Sequence, residues 1–103
     1  MFLHAVYLSL TEKADLTALA EVMQDLAKLV DKIEGFTAFH HGPNVDLEGK
    51  SPESQYGFHA TFTDRTALAR YGSDLRHQAL GARLVGLCGG PEAIKVYDID
   101  TKD

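Results

Sequence analysis

The sequence predicts an α+β fold in which helices cover one face of an antiparallel sheet. Three observations predict it: an alternating apolar start, a long segment with helical apolar spacing, and turn residues that divide the remainder into strands and helices. The resulting order is β-α-β-β-α-β, which is typical of an antiparallel sheet with helices on one side. At 103 residues, 45% of them hydrophobic, the chain is expected to form one domain over residues 1–103.

The first strand is predicted over Phe2–Leu10, where side chains alternate between two faces. One face carries His4, Val6, Leu8 and Leu10, and the other carries Leu3, Ala5, Tyr7 and Ser9. Both faces are largely apolar, which indicates a sheet covered on both sides. We expect helices on one side and a second subunit on the other.

The segment that follows has the clearest helical pattern in the chain. Its apolar residues recur at spacings of three and four: Leu16, Leu19, Met23, Leu26, Val30 and Ile33. Asp15 is a suitable N-cap, and Gly35 suits the position after the helix, where a left-handed conformation is common. A coiled coil has a similar spacing, but so few heptads more often pack on a sheet.

Two strands and a long loop are predicted in the middle of the chain. Phe36–His41 forms the second strand, Pro43–Ser54 the loop, and Gln55–Phe62 the third strand. Residues of the third strand divide between two faces, with Tyr56, Phe58, Ala60 and Phe62 on one and His59 and Thr61 on the other.

The last third of the chain reads as a broken helix and a final strand. Asp64 is predicted to cap a helix that points Leu68 and Tyr71 inward. The Gly-Ser-Asp sequence at 72–74 interrupts it, and a helix restarts over Leu75–Leu87. After a Gly-Gly-Pro turn at 89–91, the last strand is expected over Ile94–Ile99.

Charge and cysteine content exclude several classes of function. A formal net charge of −5 argues against nucleic-acid binding, which needs a basic surface, and the scattered basic residues argue against membrane binding. The single cysteine, Cys88, cannot form an internal disulfide, and its surroundings favour a small buried apolar residue over a nucleophile. The apolar start lacks a basic leader and is too short to span a bilayer. We therefore predict a cytoplasmic protein.

Taken in order, these features resemble the stress-responsive A/B-barrel (Dabb) family over nearly the whole chain. The residues that carry the resemblance are His4, the long helix before Gly35, Gly42 with Asn44, the block Phe62–His77, and the closing Tyr97-Asp98. The resemblance implies a ferredoxin-like subunit. It also implies a homodimer in which two four-stranded sheets face each other as a barrel, with the helices outside.

The same resemblance implies a candidate site. Members with known chemistry are cofactor-free cyclases of linear polyketides, and many others have no known activity. Their site residues correspond here to His4, His77 and Tyr71, lining an apolar small-molecule cavity between sheet and helices. We predict that Tyr56, Phe58, Phe62 and Leu68 contact a ligand there.

Two departures weaken the cyclase assignment. Leu75 stands where the family often has a proline before its helical histidine, and Tyr56 stands where cyclase-like members have a third histidine. His59 is no substitute, because its odd spacing from Tyr56 places it on the other face of the strand.

The chemistry of these residues is compatible with proton transfer. An imidazole can remove a proton next to a carbonyl at neutral pH, and Tyr71 or Tyr56 can donate a hydrogen bond to the developing enolate. The competing interpretation makes His4 and His77 hydrogen-bonded core histidines and Tyr71 a core aromatic.

Two function classes remain: a cofactor-free cyclase-like enzyme, and a non-catalytic dimer that binds a ligand or has a structural role. An open cavity reaching both histidines favours the enzyme, whereas a cavity filled by Phe58, Phe62 and Leu68 favours the second class. No metal site is predicted. His40 and His41 point to opposite faces of a strand, and only His59 can approach one of them across the hairpin.

Overall fold

The computed structural model describes residues 1–102 as a four-stranded antiparallel sheet with three α-helices. The elements are β1 (Phe2–Leu8), α1 (Leu16–Ala27), β2 (Phe36–Pro43), β3 (Tyr56–Phe62), α2 (Arg65–Ser73), α3 (Leu75–Cys88) and β4 (Ile94–Asp100). A short 3-10 turn, Pro91–Ala93, leads into β4. The predicted α+β class is confirmed, and the broken helix consists of α2 and α3.

The strand order β2-β3-β1-β4 places the first strand inside the sheet. β1 pairs antiparallel with β3 and β4, so that His4 lies between Ala60 and Asp98. Val6 and Leu8 are buried beneath the helices, which confirms the predicted face of β1. The opposite face, called the open face below, includes Ala5, Tyr7, His59, Lys95 and Tyr97.

α1 begins as predicted but ends early. The Asp15 carboxylate accepts hydrogen bonds from the backbone N–H groups of Thr17 and Ala18 at 2.9 and 3.2 Å. The expectation that the helix continues to Gly35 is wrong, because the last helical residue is Ala27. Tight turns follow, in which the N–H of Leu29 bonds to the carbonyl of Leu26.

These turns explain why the apolar spacing predicted too long a helix. Leu29 and Ile33 lie in them and are still buried, so the periodicity continues beyond the helix. At the other end, Leu16 is 66% exposed and does not belong to the buried stripe. Val22, which the spacing argument omitted, is fully buried.

Gly35 has the left-handed conformation expected of it, but for a different reason. Its φ is +86°, and it precedes β2 directly. A Cβ on Gly35 would lie 2.4 Å from the Cβ of Ala67 and 2.7 Å from Oγ1 of Thr63. Gly35 therefore allows the chain entering β2 to pass against α2.

The remaining boundaries differ slightly from the prediction. β1 ends at Leu8, two residues earlier than expected, and β4 continues to Asp100. β2 continues to Pro43, two residues beyond its predicted end at His41. Because β2 is an edge strand, Pro43 can be accommodated without loss of a central hydrogen bond.

The core lies between the sheet and the helices. Its largest fully buried side chains are Tyr71, Phe36, Phe62, Leu8, Met23, Leu26 and Val22. Phe36 and Phe62 stack with ring centroids 4.8 Å apart. Each such side chain contributes about 1.5–3 kcal/mol by burial, so this layer holds the helices on the sheet. Within residues 1–102, no helix combines the length and the apolar character needed to cross a membrane.

Candidate functional site

Three predicted site residues meet beneath the helices. The ring centroids of His4 and Tyr71 are 5.5 Å apart, and those of Tyr71 and His77 are 3.9 Å apart with 32° between the ring planes. His4 comes from β1, Tyr71 from α2 and His77 from the first turn of α3. The fold thus brings together the trio that the sequence singled out.

The junction between α2 and α3 places His77 against Tyr71. Asp74 ends α2 and caps α3 by accepting a 2.9 Å hydrogen bond from the backbone N–H of Arg76. The Arg76 guanidinium also donates to this carboxylate, through Nε at 3.0 Å and Nη2 at 2.8 Å. These bonds lower the pKa of Asp74 to about 2, so the cap is ionised at neutral pH.

His4 is oriented by a carboxylate. Its Nδ1 lies 2.5 Å from Oδ1 of Asp98, the facing residue on β4. A carboxylate accepts hydrogen bonds, so this contact suits the tautomer with a proton on Nδ1 and leaves Nε2 as the nitrogen that can accept a proton. The His4 side chain is 13% exposed and that of Asp98 46%. In this His4–Asp98 dyad the imidazole is therefore mostly buried, whereas solvent can reach the carboxylate.

Asp98 is the functional candidate that sequence reasoning missed. In the sequence it contributes to the family resemblance only as part of the closing Tyr97-Asp98 pair. Strand pairing is the signal that could have identified it. If the last strand pairs antiparallel with β1, the register of the two strands determines which residue lies opposite His4.

Two buried polar atoms of the trio have no hydrogen-bond partner in the described part of the chain: Oη of Tyr71 and Nδ1 of His77. Burial raises the pKa of the Tyr71 hydroxyl, which is therefore a protonated donor at neutral pH. Burial, and next the charge of His4, lower the pKa of His77, while the carbonyls of Gly72 and Tyr71 act in the opposite direction. A buried polar atom without a partner is rare and calls for an explanation.

The residues predicted to contact a ligand do not all lie near the trio. Phe58 and Phe62 lie next to the trio, each with its ring centroid 6.4 Å from that of His4. Leu68 is partly buried against the core. Tyr56 lies at the other end of β3, where its Oη is 2.6 Å from Nδ1 of His41 and burial raises its pKa.

Among residues 1–102, two surface cavities lie away from the trio. One of ≈ 610 Å³ lies on the open face beside the β2–β3 loop, and one of ≈ 390 Å³ is lined by Leu10, Leu16 and Gln55 among others. Neither of these two is lined by His4, Tyr71 or His77. A cavity between sheet and helices stays a prediction.

The remaining histidines and the cysteine have other surroundings. His40 and His59 are cross-strand partners on the open face, whereas His41 contacts Tyr56. Among residues 1 to 102, no three His, Cys, Asp or Glu side chains converge as metal ligands would. Cys88 is buried, and burial raises the pKa of its thiol, which disfavours the nucleophilic thiolate.

A family model and several solved structures resemble this chain. The model of the stress-responsive A/B-barrel domain matches residues 2–100. A dimeric ferredoxin-like protein of unknown function from Jannaschia is 38% identical, with 97% of this chain and 98% of that chain covered and a TM-score of 0.92. An Arabidopsis thaliana protein is 23% identical, with 100% and 97% covered and a TM-score of 0.85.

A more distant match shares the fold alone. The hydroxynitrile lyase of Passiflora edulis is 11% identical, with 99% of this chain and 96% of that chain covered and a TM-score of 0.80. Comparison with curated proteins gives no significant match.

Proposed function

The chain belongs to the stress-responsive A/B-barrel family, and from this premise we propose that it is a single-domain, cytoplasmic homodimer that transfers protons on a small carbonyl compound without a cofactor. The observation that carries the proposal is the His4–Asp98 dyad beside the two unpartnered buried atoms, Tyr71 Oη and His77 Nδ1. A ligand oxygen placed between those two atoms would give both of them a partner.

The proposed step is removal of a proton next to a carbonyl group. Nε2 of His4 takes the proton, the C–H electron pair forms the C=C bond of the enolate, and the C=O π pair moves to the oxygen. Asp98 stabilises the imidazolium that results. Tyr71 and His77 then donate hydrogen bonds to the enolate oxygen in a site with little water, where such bonds are strongest.

Ring closure would follow if the substrate carries a second carbonyl. The enolate carbon attacks that carbonyl, a C–C bond forms, and the imidazolium of His4 returns its proton to the new alkoxide. A β-keto or polyketide-like chain is the substrate class that meets these requirements. Tyr56 is not assigned a role in this step, because it is engaged with His41.

A second candidate function has its own support. Tyr71 packs against Phe36 and Phe62 with centroid distances of 5.2 and 5.0 Å, and its side chain is only 1% exposed. Packing this close favours a closed core. In that case the dimer is non-catalytic, and the histidines stabilise the contact between β1 and α3.

Hydrogen–deuterium exchange separates the two candidates. A panel of β-keto esters and linear triketides is incubated with protein in D₂O, and loss of the α-proton signal is followed by NMR. We expect exchange above the buffer rate, reduced about 100-fold or more by His4→Ala and by Tyr71→Phe, since general bases and oxyanion donors contribute on that order. His59→Ala, a histidine of the open face, is the matched control.

Exchange at the buffer rate for the whole panel would overturn the catalytic proposal and favour the second candidate. So would an acceleration that His4→Ala and His59→Ala reduce equally, because the base would then lie outside the trio.

The dimer is proposed to form through the open face. The Jannaschia relative is described as dimeric, and Tyr97 and Ile99 of this face are about half exposed, at 51% and 48%. Such exposed apolar surface favours association. Sedimentation velocity at micromolar concentration should give a dimer that Leu3→Asp dissociates, whereas a monomeric wild-type protein would contradict the proposal.

A further inference from the structure

One arginine at the start of α2 keeps its charge without a carboxylate partner. The other three arginines of the chain form ion pairs: Arg70 with Glu34, Arg76 with Asp74 and Arg83 with Glu21. Within residues 1–102, Arg65 forms no such pair, and its guanidinium carbon lies over the ring of Phe2, 5.4 Å from the ring centroid. Contact with a ring face uses none of the five N–H donors of a guanidinium, so these stay available to an anion.

Two carboxylates belong to the surroundings of Arg65, and both are engaged elsewhere. Asp64 precedes it and caps α2, accepting a 2.8 Å hydrogen bond from the backbone N–H of Ala67. Asp100 faces Phe2 across β1 and β4 and accepts from Nζ of Lys102 at 3.0 Å. The positive charge of Arg65 is therefore left for a carboxylate that the chain does not supply.

The position of Phe2 connects Arg65 to the candidate site. Phe2 and His4 lie on the same face of β1, two residues apart, which corresponds to roughly 6.7 Å along a strand. Phe62 is the cross-strand partner of Phe2, and its ring centroid lies 6.4 Å from that of His4 and 5.0 Å from that of Tyr71. The guanidinium over Phe2 is thus one row of side chains away from the groups assigned to proton transfer.

Solvent reaches both ends of this strip of β1. Arg65 is exposed, and the side chain of Asp98, which contacts His4, is 46% exposed. Phe2 is only partly buried against the core. A chain lying over Phe2 would therefore have an accessible cation at one end and the His4–Asp98 dyad at the other.

We infer that Arg65 binds a carboxylate of the substrate, which is then a keto acid and not a neutral ketone or ester. The inference rests on the proposed function, because it places the reacting carbonyl at His4, Tyr71 and His77. An extended chain of roughly five bonds, each of about 1.5 Å, spans the distance from that carbonyl to a carboxylate over Phe2. Arg65 is accordingly assigned as the residue that selects for the acid.

The probe for the test is 4,6-dioxoheptanoate, in which five bonds separate the outer ketone from the carboxylate carbon, with its methyl ester as the uncharged analogue. Exchange of the protons between the two ketones is followed by NMR in D₂O over a range of concentrations. We expect a KM at least about 10-fold lower for the acid than for the ester, with similar kcat. A contact remote from the reacting carbon stabilises the bound ground state and the transition state equally.

Two methionine variants form the matched pair. Arg65→Met removes the charge and keeps an unbranched apolar side chain against Phe2, so it should raise the KM of the acid at least about 10-fold and leave that of the ester unchanged. Arg70→Met removes another exposed arginine of α2 and should keep the preference for the acid. Arg65→Lys should restore part of it, because an ammonium group supplies the charge without the planar fork.

A binding measurement makes the test independent of catalysis. The acid is added to His4→Ala, and amide shifts are followed by two-dimensional NMR. Saturable shifts at Phe2 and Arg65 are expected, and they should disappear when Arg65→Met is added to the same variant.

Three outcomes would overturn the inference: equal KM values of acid and ester for the wild-type protein, equal loss of the acid preference in Arg65→Met and Arg70→Met, and no shifts at Phe2 and Arg65. The first two leave the catalytic proposal standing, because proton exchange is still observed. Conversely, exchange of both compounds at the buffer rate, together with saturable binding of the acid at Arg65, would overturn the catalytic proposal alone.

Discussion

A tyrosine–histidine pair lies on each side of the sheet, one in the helices and one in the strands, and the two pairs are built differently. On the helix side, Tyr71 and His77 lie with ring centroids 3.9 Å apart, and one polar atom of each has no partner within the described residues. On the open face, Tyr7 and His59 hydrogen-bond at 3.1 Å, and water can reach the pair.

The two pairs differ in their effect on the stability of the fold. The Tyr7–His59 bond satisfies both groups and requires no further explanation. An unpartnered buried hydroxyl costs about 1–3 kcal/mol, so the Tyr71–His77 arrangement works against folding. Selection for stability alone would have favoured phenylalanine at residue 71, which is why we place the catalytic proposal on the helix side.

The largest effect on this comparison is expected from glycine substitutions. Gly35→Ala should lower the free energy of unfolding by about 3–5 kcal/mol, because it adds left-handed strain to a clash with Ala67. Gly42→Ala on the open face should change it by less than about 0.5 kcal/mol. Urea unfolding of both variants measures the difference, and similar values would mean that the helix side is no more tightly packed than the open side.

A smaller effect of opposite sign is expected from removing one hydroxyl. Tyr71→Phe should raise the free energy of unfolding by about 1 kcal/mol, since it deletes an unsatisfied group and keeps the ring. Tyr7→Phe should lower it slightly, because it breaks the bond to His59. Urea midpoints report both changes. Destabilisation by Tyr71→Phe would show that the hydroxyl is hydrogen-bonded in solution and would remove the contrast between the pairs.

The smallest expected effect is a pH dependence specific to the helix side. Burial and the neighbouring His4 lower the pKa of His77 in the folded state, so between the folded and unfolded pKa values the unfolded chain binds more protons. Stability should be full above about pH 6.5, fall as the pH drops below it, and level off below the folded pKa of His77.

Thermal unfolding of wild type and His77→Phe from pH 5 to 8 measures this contribution. The stability of His77→Phe should fall less below pH 6.5 than that of the wild type. The stability of His59→Phe should fall as much as that of the wild type. Identical profiles for wild type and His77→Phe would contradict the burial of this imidazole.

Local signals were sufficient to predict most of the fold. Asp15 and Asp64 cap helices as expected, because capping depends on neighbouring backbone groups. The end of α1 could not be predicted in the same way. Leu29 and Ile33 face the core from tight turns, and apolar periodicity does not distinguish these turns from a helix.

The site was partly predictable. Family resemblance identified His4, Tyr71 and His77, which the fold brings together, but not the contact of Asp98 with His4. The pairing of Tyr56 with His41 and the placement of Gly42 opposite Gly57 depend on the register of β2 against β3. That register includes a bulge between Phe36 and Ala38, which no local pattern in the sequence specifies.

The His4–Asp98 contact also has a consequence for how the chain matures. It joins residues 94 positions apart, through strands that pair residue 2 with residue 100. Closing a loop of this length costs chain entropy, and the contact requires that β4 be present to pair with β1. The dyad therefore cannot exist on a nascent chain still lacking its last strand. Whatever chemistry it performs begins only after β4 has been synthesised and has paired with β1.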